Sequence, residues 1–353
     1  MMSDEQALIA QYAEKYGLTD EMIKHAERWT ETDGDLAGLS EKRVRGILDL
    51  RFSAIAVDTP RSELWHTPDT IDVIEDLPYL PDGGYDTEAG QCRGHLLDLY
   101  LPHDAVLRAG HTTPVYIDIH GGGFTYGYKE LNRNFNVHLA DMGFAVFSLN
   151  YRPAPQTDLR GQLADVQAAL RWIKAHLADY PVNPNAVFLT GDSAGGALAL
   201  YLCAANGSTQ LAGALGLWQS GIEVHALVVT SGMFRLQGGV HANALSYYME
   251  GYLQTPADHI KVNPYLDLDK LIVDGDVPPI YMITSVEDFI ADNTYELARI
   301  LHARHKDHAM SVWPKGRERV LGHVFNIVQA GDPEAGEAHQ VICDIADYCK
   351  RYI

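Results

Sequence analysis

The chain is poor in cysteine, and its four cysteines, Cys92, Cys203, Cys343 and Cys349, include no CxxC pair. That argues against a disulfide-stapled domain and leads to the expectation of free, mostly buried thiols in a cytoplasmic protein. No apolar stretch approaches the about 18 residues that a spanning helix needs, so no membrane span is expected. The opening residues Met1-Met2-Ser3-Asp4-Glu5 are acidic and lack the basic region and apolar run of a signal peptide. Basic residues are scarce as well. Lys and Arg number 27 against 47 Asp and Glu, for a net charge of -20, which leaves no basic stripe for phosphates or for an anionic membrane. Solubility is a sufficient reason for the charge. Neither GxGxxG nor a P-loop occurs, and Gly83-Gly84 and Gly238-Gly239 are too short to cradle a phosphate. His302, His305 and His308 are spaced like ligands, but they lie at a helix end that reads as solvated. No cofactor, metal, nucleic acid or membrane partner is expected; the sequence leaves a homo-oligomer open.

What is present is the composition of a globular protein. The 353 residues are 46% apolar and 21% charged, enough to bury a large core in one big α/β domain or two ordinary ones. Residues 1 to about 60 read as helices, from the helical spacing of Ala7-Leu8-Ile9-Tyr12 and Val44-Ile47-Leu48-Leu50. Thr19 and Ser40 are their expected N-caps, and Pro60 with the loop around Trp65 and Pro68 is expected to end the region. Beyond about residue 70, strands alternate with helices. The expected strands are Ile71–Ile74, His95–Leu101, Pro114–Ile119, Ala145–Asn150, Ala186–Thr190, Ala226–Thr230, Pro279–Thr284 and Met310–Trp313. Helical patterns occupy Gly161–Leu177, Ala194–Ala205, Asp292–His305 and Glu334–Tyr352. The alternation predicts a mostly parallel sheet covered by helices on both faces. The first two strands are joined only by a loop with Pro81-Asp82-Gly83-Gly84, so they should be antiparallel. The stretch from 235 to about 275, with Tyr247, Tyr248 and Tyr252, breaks the rhythm and reads as a helical excursion above the sheet.

Three segments carry chemistry. Gly191-Asp192-Ser193-Ala194-Gly195-Gly196 follows a strand directly and opens a helix, the context of a nucleophile elbow. The crowded reversal requires glycine two residues to either side of the serine and pushes Ser193 outward. His120-Gly121-Gly122-Gly123-Phe124 follows another strand, and its glycines allow backbone N–H groups to approach an oxyanion closely. His120 itself reads as a residue that holds this loop by hydrogen bonds. A serine nucleophile needs a base, and the base needs an orienting carboxylate. Of the sixteen histidines, His323 is best placed, in a loop after the last strand and before the last helix. The acid should leave the strand Pro279–Thr284; Asp288 is preferred there, with Glu287 and Asp292 as rivals. Asp192, within the elbow, reads as a structural hydrogen-bonder.

With these motifs the chain resembles the hormone-sensitive-lipase-like branch of the α/β-hydrolase superfamily over roughly residues 65–353. HGGG stands at His120–Gly123 and GDSAG at Gly191–Gly195, Asn150–Pro155 resembles the YRLAP segment, and Asp288–Asp292 resembles D-x-L-x-D. Asp165 and Trp172 resemble the helix that follows YRLAP. Pro153, Gln156 and Phe289 depart from the family's residues and bear on the shape of the pocket. The resemblance implies an α/β-hydrolase fold with a central eight-stranded, mostly parallel sheet and a helical cap. It also implies Ser193 as nucleophile, His323 as base and Asp288 as acid, with oxyanion donors at Gly122, Gly123 and Ala194. Residues 1–64 are then expected as an N-terminal cap region and residues 65–353 as the catalytic domain, with the excursion at about 235–275 as a further cap. The expected activity is hydrolysis of small, short-acyl esters, an acetyl esterase being one form. An amidase, formamidase or peptidase with the same residues is the first alternative. A non-catalytic small-molecule receptor is the second, disfavoured because His323 is present.

Overall fold

Side chains along the strand Thr113–Ile119 alternate between two cores, and that alternation sets the architecture. Val115, Ile117 and Ile119 join one cluster with Leu163, Val166 and Leu198, while Tyr116 joins another with Phe144, Phe188 and Ile342. Both faces are therefore apolar, as a sheet covered on both sides requires. The computed structural model describes residues 4–32, 34–81, 83, 93–107, 112–236 and 260–353.

The eight strands are β1 (Ile71–Pro78), β2 (Leu96–Pro102), β3 (Thr113–Ile119), β4 (Ala145–Leu149), β5 (Val182–Asp192), β6 (Ala226–Thr230), β7 (Ile280–Ser285) and β8 (His308–Trp313). They form one sheet in the order β1-β2-β4-β3-β5-β6-β7-β8. β2 is antiparallel to both β1 and β4, and every other pairing is parallel. The expected strands and the antiparallel start are all found. The loop expected around Pro81–Gly84 falls largely outside the described residues, as do Cys92, Gly238-Gly239, Tyr247, Tyr248, Tyr252 and most of the expected excursion.

Three helices open the chain: α1 (Asp4–Tyr16), α2 (Asp20–Ala26) and α3 (Glu41–Ser62). Thr19 and Ser40 cap α2 and α3 as expected, accepting from the N–H groups of Met22 at 3.2 Å and Arg43 at 3.4 Å. Pro60 does not end α3. It sits in the last turn and the helix runs on to Ser62. One missing N–H is tolerated there because Phe52 and Ile55 anchor the helix by burial.

Among the described residues the sheet carries α4 (Arg133–Asp141), α5 (Leu159–His176), α6 (Ser193–Asn206), α7 (Thr209–Leu215), α8 (Leu268–Asp274), α9 (Ala291–Ala303), α10 (Phe325–Val328) and α11 (Gly336–Cys349). Three of these, α4, α7 and α10, were not expected; α8 falls within the stretch read as a helical excursion. α4 starts at a residue type favoured at N-caps but is not capped by it. Asn132 occupies its N-cap position but makes no capping bond, because its amide donates to Asp118 and Asp192 instead.

The N-terminal helices are fastened to the sheet domain by Arg51 of α3, which is fully buried. Its guanidinium donates to the Thr125 carbonyl at 2.8 Å, just beyond the HGGG run, and to the Ala154 carbonyl at 3.1 Å in the segment after β4. Two further bonds of 2.7 Å pair it with both oxygens of Asp35. Around it Trp29, Ile55, Tyr126, Tyr128 and Leu131 form a small apolar cluster that spans α3 and the loop before α4. A buried pair of this kind is strongly destabilising to break, because one charge is left without a partner. Arg51→Ala should lower unfolding free energy by about 3–5 kcal/mol in urea denaturation. A loss below about 1 kcal/mol, the value of an exposed pair, would show that the clip does not hold the region in place.

Candidate active site

β3 and β5 are neighbours in the sheet, with Ile119 opposite Gly191, so their carboxyl ends deliver HGGG and GDSAG side by side. β5 ends at Asp192 and α6 begins at Ser193 with no intervening residue. The reversal holds Ser193 at φ 50°, a left-handed conformation that a serine adopts only where its surroundings impose it. Two glycines are required by contact. A Cβ on Gly195 would lie 2.0 Å from the Ile119 carbonyl oxygen. Gly122, at φ 106°, would bring a Cβ to 2.0 Å from the Tyr126 carbonyl oxygen, and its own carbonyl accepts from Thr125 at 3.1 Å and Tyr126 at 3.0 Å. The glycine loop is thus a closed turn lying against the serine.

The ends of the next strands supply the other two groups. His323 Nε2 lies 2.9 Å from Ser193 Oγ, and its Nδ1 lies 2.9 Å from Asp288 Oδ1. Asp288 also accepts from the Thr284 hydroxyl at 3.0 Å and the Ile290 N–H at 3.1 Å. Burial pushes the Asp288 carboxyl up, but the hydrogen bond and charge of His323 outweigh it and hold the carboxyl below its usual range. The two rivals are engaged elsewhere. Glu287 accepts from the N–H groups of Gly316 at 3.0 Å and Leu321 at 2.8 Å, which fixes the loop that carries His323. Asp292 pairs with Arg235. Behind the base, Val324 sits at φ 48° and its N–H donates to Ser231 at 3.3 Å.

Beneath the glycine loop lies a polar network that sequence reasoning found only in part. Asp192 accepts from the Gly121 N–H at 3.1 Å and from Asn132 at 2.9 Å, the structural role expected of it. Asn132 also donates to Asp118, which takes further bonds from Asn136 at 3.1 Å and Ser148 at 3.3 Å. Burial, with Asp192 close by, raises the Asp118 carboxyl to about 7. Asp118 was read only as a strand residue, since a single aspartate in an apolar run gives no signal of its partners. His120 is fully buried, stacks on Tyr151 at 4.3 Å, and its Nδ1 lies 2.8 Å from the Gly121 carbonyl. Burial lowers it to about 4, so the ring is neutral at pH 7 and acts as a brace.

A cavity of about 810 Å³ opens over the serine. Gly122, Gly123, Ser193 and His323 line it from below, and one face of α3 lines it from the other side. Ala194, the third expected donor, is fully buried in the first turn of α6. His302, His305 and His308 are not drawn into a common site. Among the described residues the only gathered ligand-type atoms are those of Asp76, Asp98 and Glu130. The Lys129 ammonium contacts all three, at 2.8 Å from Asp76 and 2.9 Å from Asp98, with Glu130 completing the set. No helix of the described residues is long and apolar enough to cross a membrane.

A strand–turn–helix serine, a glycine loop on the adjacent strand, and a histidine and aspartate from later strand ends define a hydrolase-type site on a doubly wound sheet. The family model for the alpha/beta hydrolase fold matches residues 116–319, and the chain belongs to that family. Among curated relatives, the probable carboxylic ester hydrolase LipM of Mycobacterium tuberculosis (strain ATCC 25618 / H37Rv) is 28% identical over 201 residues, which is 56% of this chain and 46% of that protein. Esterase LipQ of the same organism is 31% identical over 125 residues, 35% of this chain and 27% of that one. The chain therefore spans half or less of the length of these relatives. Among solved structures, an inhibited esterase B from Lactobacillus rhamnosis superposes with a TM-score of 0.75 at 26% identity, covering 88% of this chain and 97% of that one. An esterase of the bacterial hormone-sensitive lipase family shares the fold, with a TM-score of 0.61 at 20% identity, over 90% of this chain and 99% of that one.

The raised Asp118 carboxyl has a stability consequence with a definite sign. Its folded value lies above the unfolded one, so its contribution is complete below about pH 4 and is lost as pH rises through about 7. The stability difference between wild type and Asp118→Asn should therefore shift in favour of the variant between about pH 5 and about pH 8. Chemical denaturation at the two pH values measures it, and a constant difference would place the titration elsewhere.

Proposed function

We propose that this chain is a serine carboxylesterase that cleaves small, short-acyl esters through an acyl-enzyme, with Ser193 as nucleophile, His323 as base and Asp288 as acid. The observation that carries the reading is the unbroken relay from Ser193 through His323 to Asp288, with both contacts at 2.9 Å. His323 Nε2 takes the serine proton as Oγ bonds to the ester carbonyl carbon, and Asp288 stabilises the resulting imidazolium. The carbonyl oxygen, now anionic, is held by the N–H groups of Gly122, Gly123 and Ala194, each typically worth about 3 kcal/mol at the transition state. Collapse breaks the bond to the alcohol oxygen, which leaves with the proton from His323. Water then repeats the sequence on the acyl-enzyme, releasing the acid and restoring Ser193. None of these steps requires a metal or cofactor.

Residues 1–64 act in this reading as a cap, and residues 65–353 as the catalytic domain; α3 along one side of the cavity supports that division. Similarity to LipM, LipQ and esterase B, each an esterase or ester hydrolase, supports the ester specificity. Cys203, Cys343 and Cys349 are free thiols, which supports a cytoplasmic setting.

Hydrolysis of p-nitrophenyl esters from acetate to laurate, beside anilide analogues, tests the assignment. Short-chain esters should be turned over fastest, and Ser193→Ala should lower kcat by at least about 10⁴-fold. Asp288→Asn should cost a similar factor of about 10⁴. Turnover surviving in Ser193→Ala would move the nucleophile elsewhere. Selective anilide cleavage would make the protein an amidase, and an inert wild type would favour a receptor.

A further inference from the structure

The face that α3 turns toward the cavity comprises Gly46, Asp49, Leu50, Ser53, Ala54, Val57, Asp58 and Arg61, a strict helical repeat. A cavity built for alkyl chains alone would carry apolar residues along that face. Leu50, Ala54 and Val57 fit such a role, but every turn also presents a polar side chain. Asp49 and Ser53 are used within the N-terminal region. Asp49 accepts from the Tyr16 hydroxyl at 2.6 Å, and Ser53 donates to the Leu50 carbonyl at 2.8 Å.

Asp58 and Arg61 are different. Arg61 Nη1 donates to Asp58 Oδ1 at 2.5 Å, and Nη2 donates to the carbonyls of Leu131 and Ile327, both at 3.2 Å. Those bonds fix the guanidinium between the wall before α4 and the segment after His323, while its side chain stays 17% exposed. The buried Tyr126 lines the same cavity, with its hydroxyl directed to the Asp58 carboxyl and beside Tyr128. Burial holds the Asp58 carboxyl above its ordinary value despite Arg61. The cavity wall therefore groups a carboxylate that can accept, a fixed guanidinium that can donate, and a phenol beside them that can do either. The first two cancel in charge.

We propose that Asp58, Arg61 and Tyr126 form a polar subsite, and that the ester cleaved here carries an uncharged hydroxyl group that binds it. A hydroxyl donates one hydrogen bond and accepts others, which matches this set. A carboxylate or ammonium on the substrate would face one like charge across the pair. An alkyl chain pressed against the same wall would exclude water from Asp58 and Tyr126 without replacing its hydrogen bonds. The proposal rests on the esterase reading and narrows it from short esters in general to hydroxylated ones.

Matched ester pairs test it: p-nitrophenyl butyrate against p-nitrophenyl 3-hydroxybutyrate, and propyl butyrate against 2,3-dihydroxypropyl butyrate followed by pH-stat. The first pair places the hydroxyl on the acyl side, the second on the alcohol side. In one of the two, wild-type kcat/KM should favour the hydroxylated ester by about tenfold or more. Tyr126→Phe, which removes only the hydroxyl, should reduce that ratio several-fold. The double variant Asp58→Leu with Arg61→Met, an apolar replacement of the kind buried pairs often tolerate, should abolish it. Folding of each variant is checked by thermal unfolding, and Tyr126→Phe carries the test if the double variant does not fold. A wild-type ratio of one or less in both pairs overturns the subsite while leaving the esterase intact, as does a ratio unchanged in the variants. No turnover of any ester overturns the esterase reading and the subsite with it.

Discussion

The site depends on how closely two backbones approach at the carboxyl ends of β3 and β5. Gly195 lies where any side chain would strike the Ile119 carbonyl, and Gly121 is held by Asp192 across the same gap. Because the strands are adjacent and parallel, the turn after each opens at the same end of the sheet. The serine turn and the glycine loop therefore share one rigid frame rather than meeting through flexible connections. Strain at Ser193 persists because this frame over-determines it, with neighbours fixed on both sides.

Much of that frame was legible in the chain because its signals are local. Short β-branched runs bounded by glycine and proline marked all eight strands, and the order of strand and helix marked the parallel sheet. GDSAG and HGGG named their turns because glycine was needed at fixed offsets. The choice among Asp288, Glu287 and Asp292 was a different matter: residues so near in sequence point in different directions only once the turn after β7 is built. The same limit hid Asp118 and Asn132, whose meaning lies in each other. Asn132 also shows that an N-cap residue type need not cap, since its amide is turned to Asp118 and Asp192 instead of the first turn of α4.

Buried charge in this protein is confined to a few well-partnered places. Arg51 is satisfied by the carbonyls of Thr125 and Ala154 and by both oxygens of Asp35. Lys129 fills the space between three carboxylates, so the acidic groups gathered there already have a cation of their own. Asp118 and Asp192 instead share neutral amide donors, and burial raises both carboxyls. These are different answers to the same desolvation problem. A cation nearby moderates the cost without removing it: Glu130 is still pushed up to about 7 beside Lys129, as Asp118 is among neutral donors.

The helix α3 serves two ends at once, through different faces. Toward the cavity it contributes one wall, and toward the sheet it sends Arg51 to the carbonyls of Thr125 and Ala154. Its sequence is therefore not free to drift as an ordinary lid would. In recombination between related proteins, exchanging the first sixty or so residues would replace both the contacts for the incoming molecule and the support of the loop beneath it. Selectivity and machinery are inherited here as one block, and a new preference has to arise by point changes along the cavity face of α3.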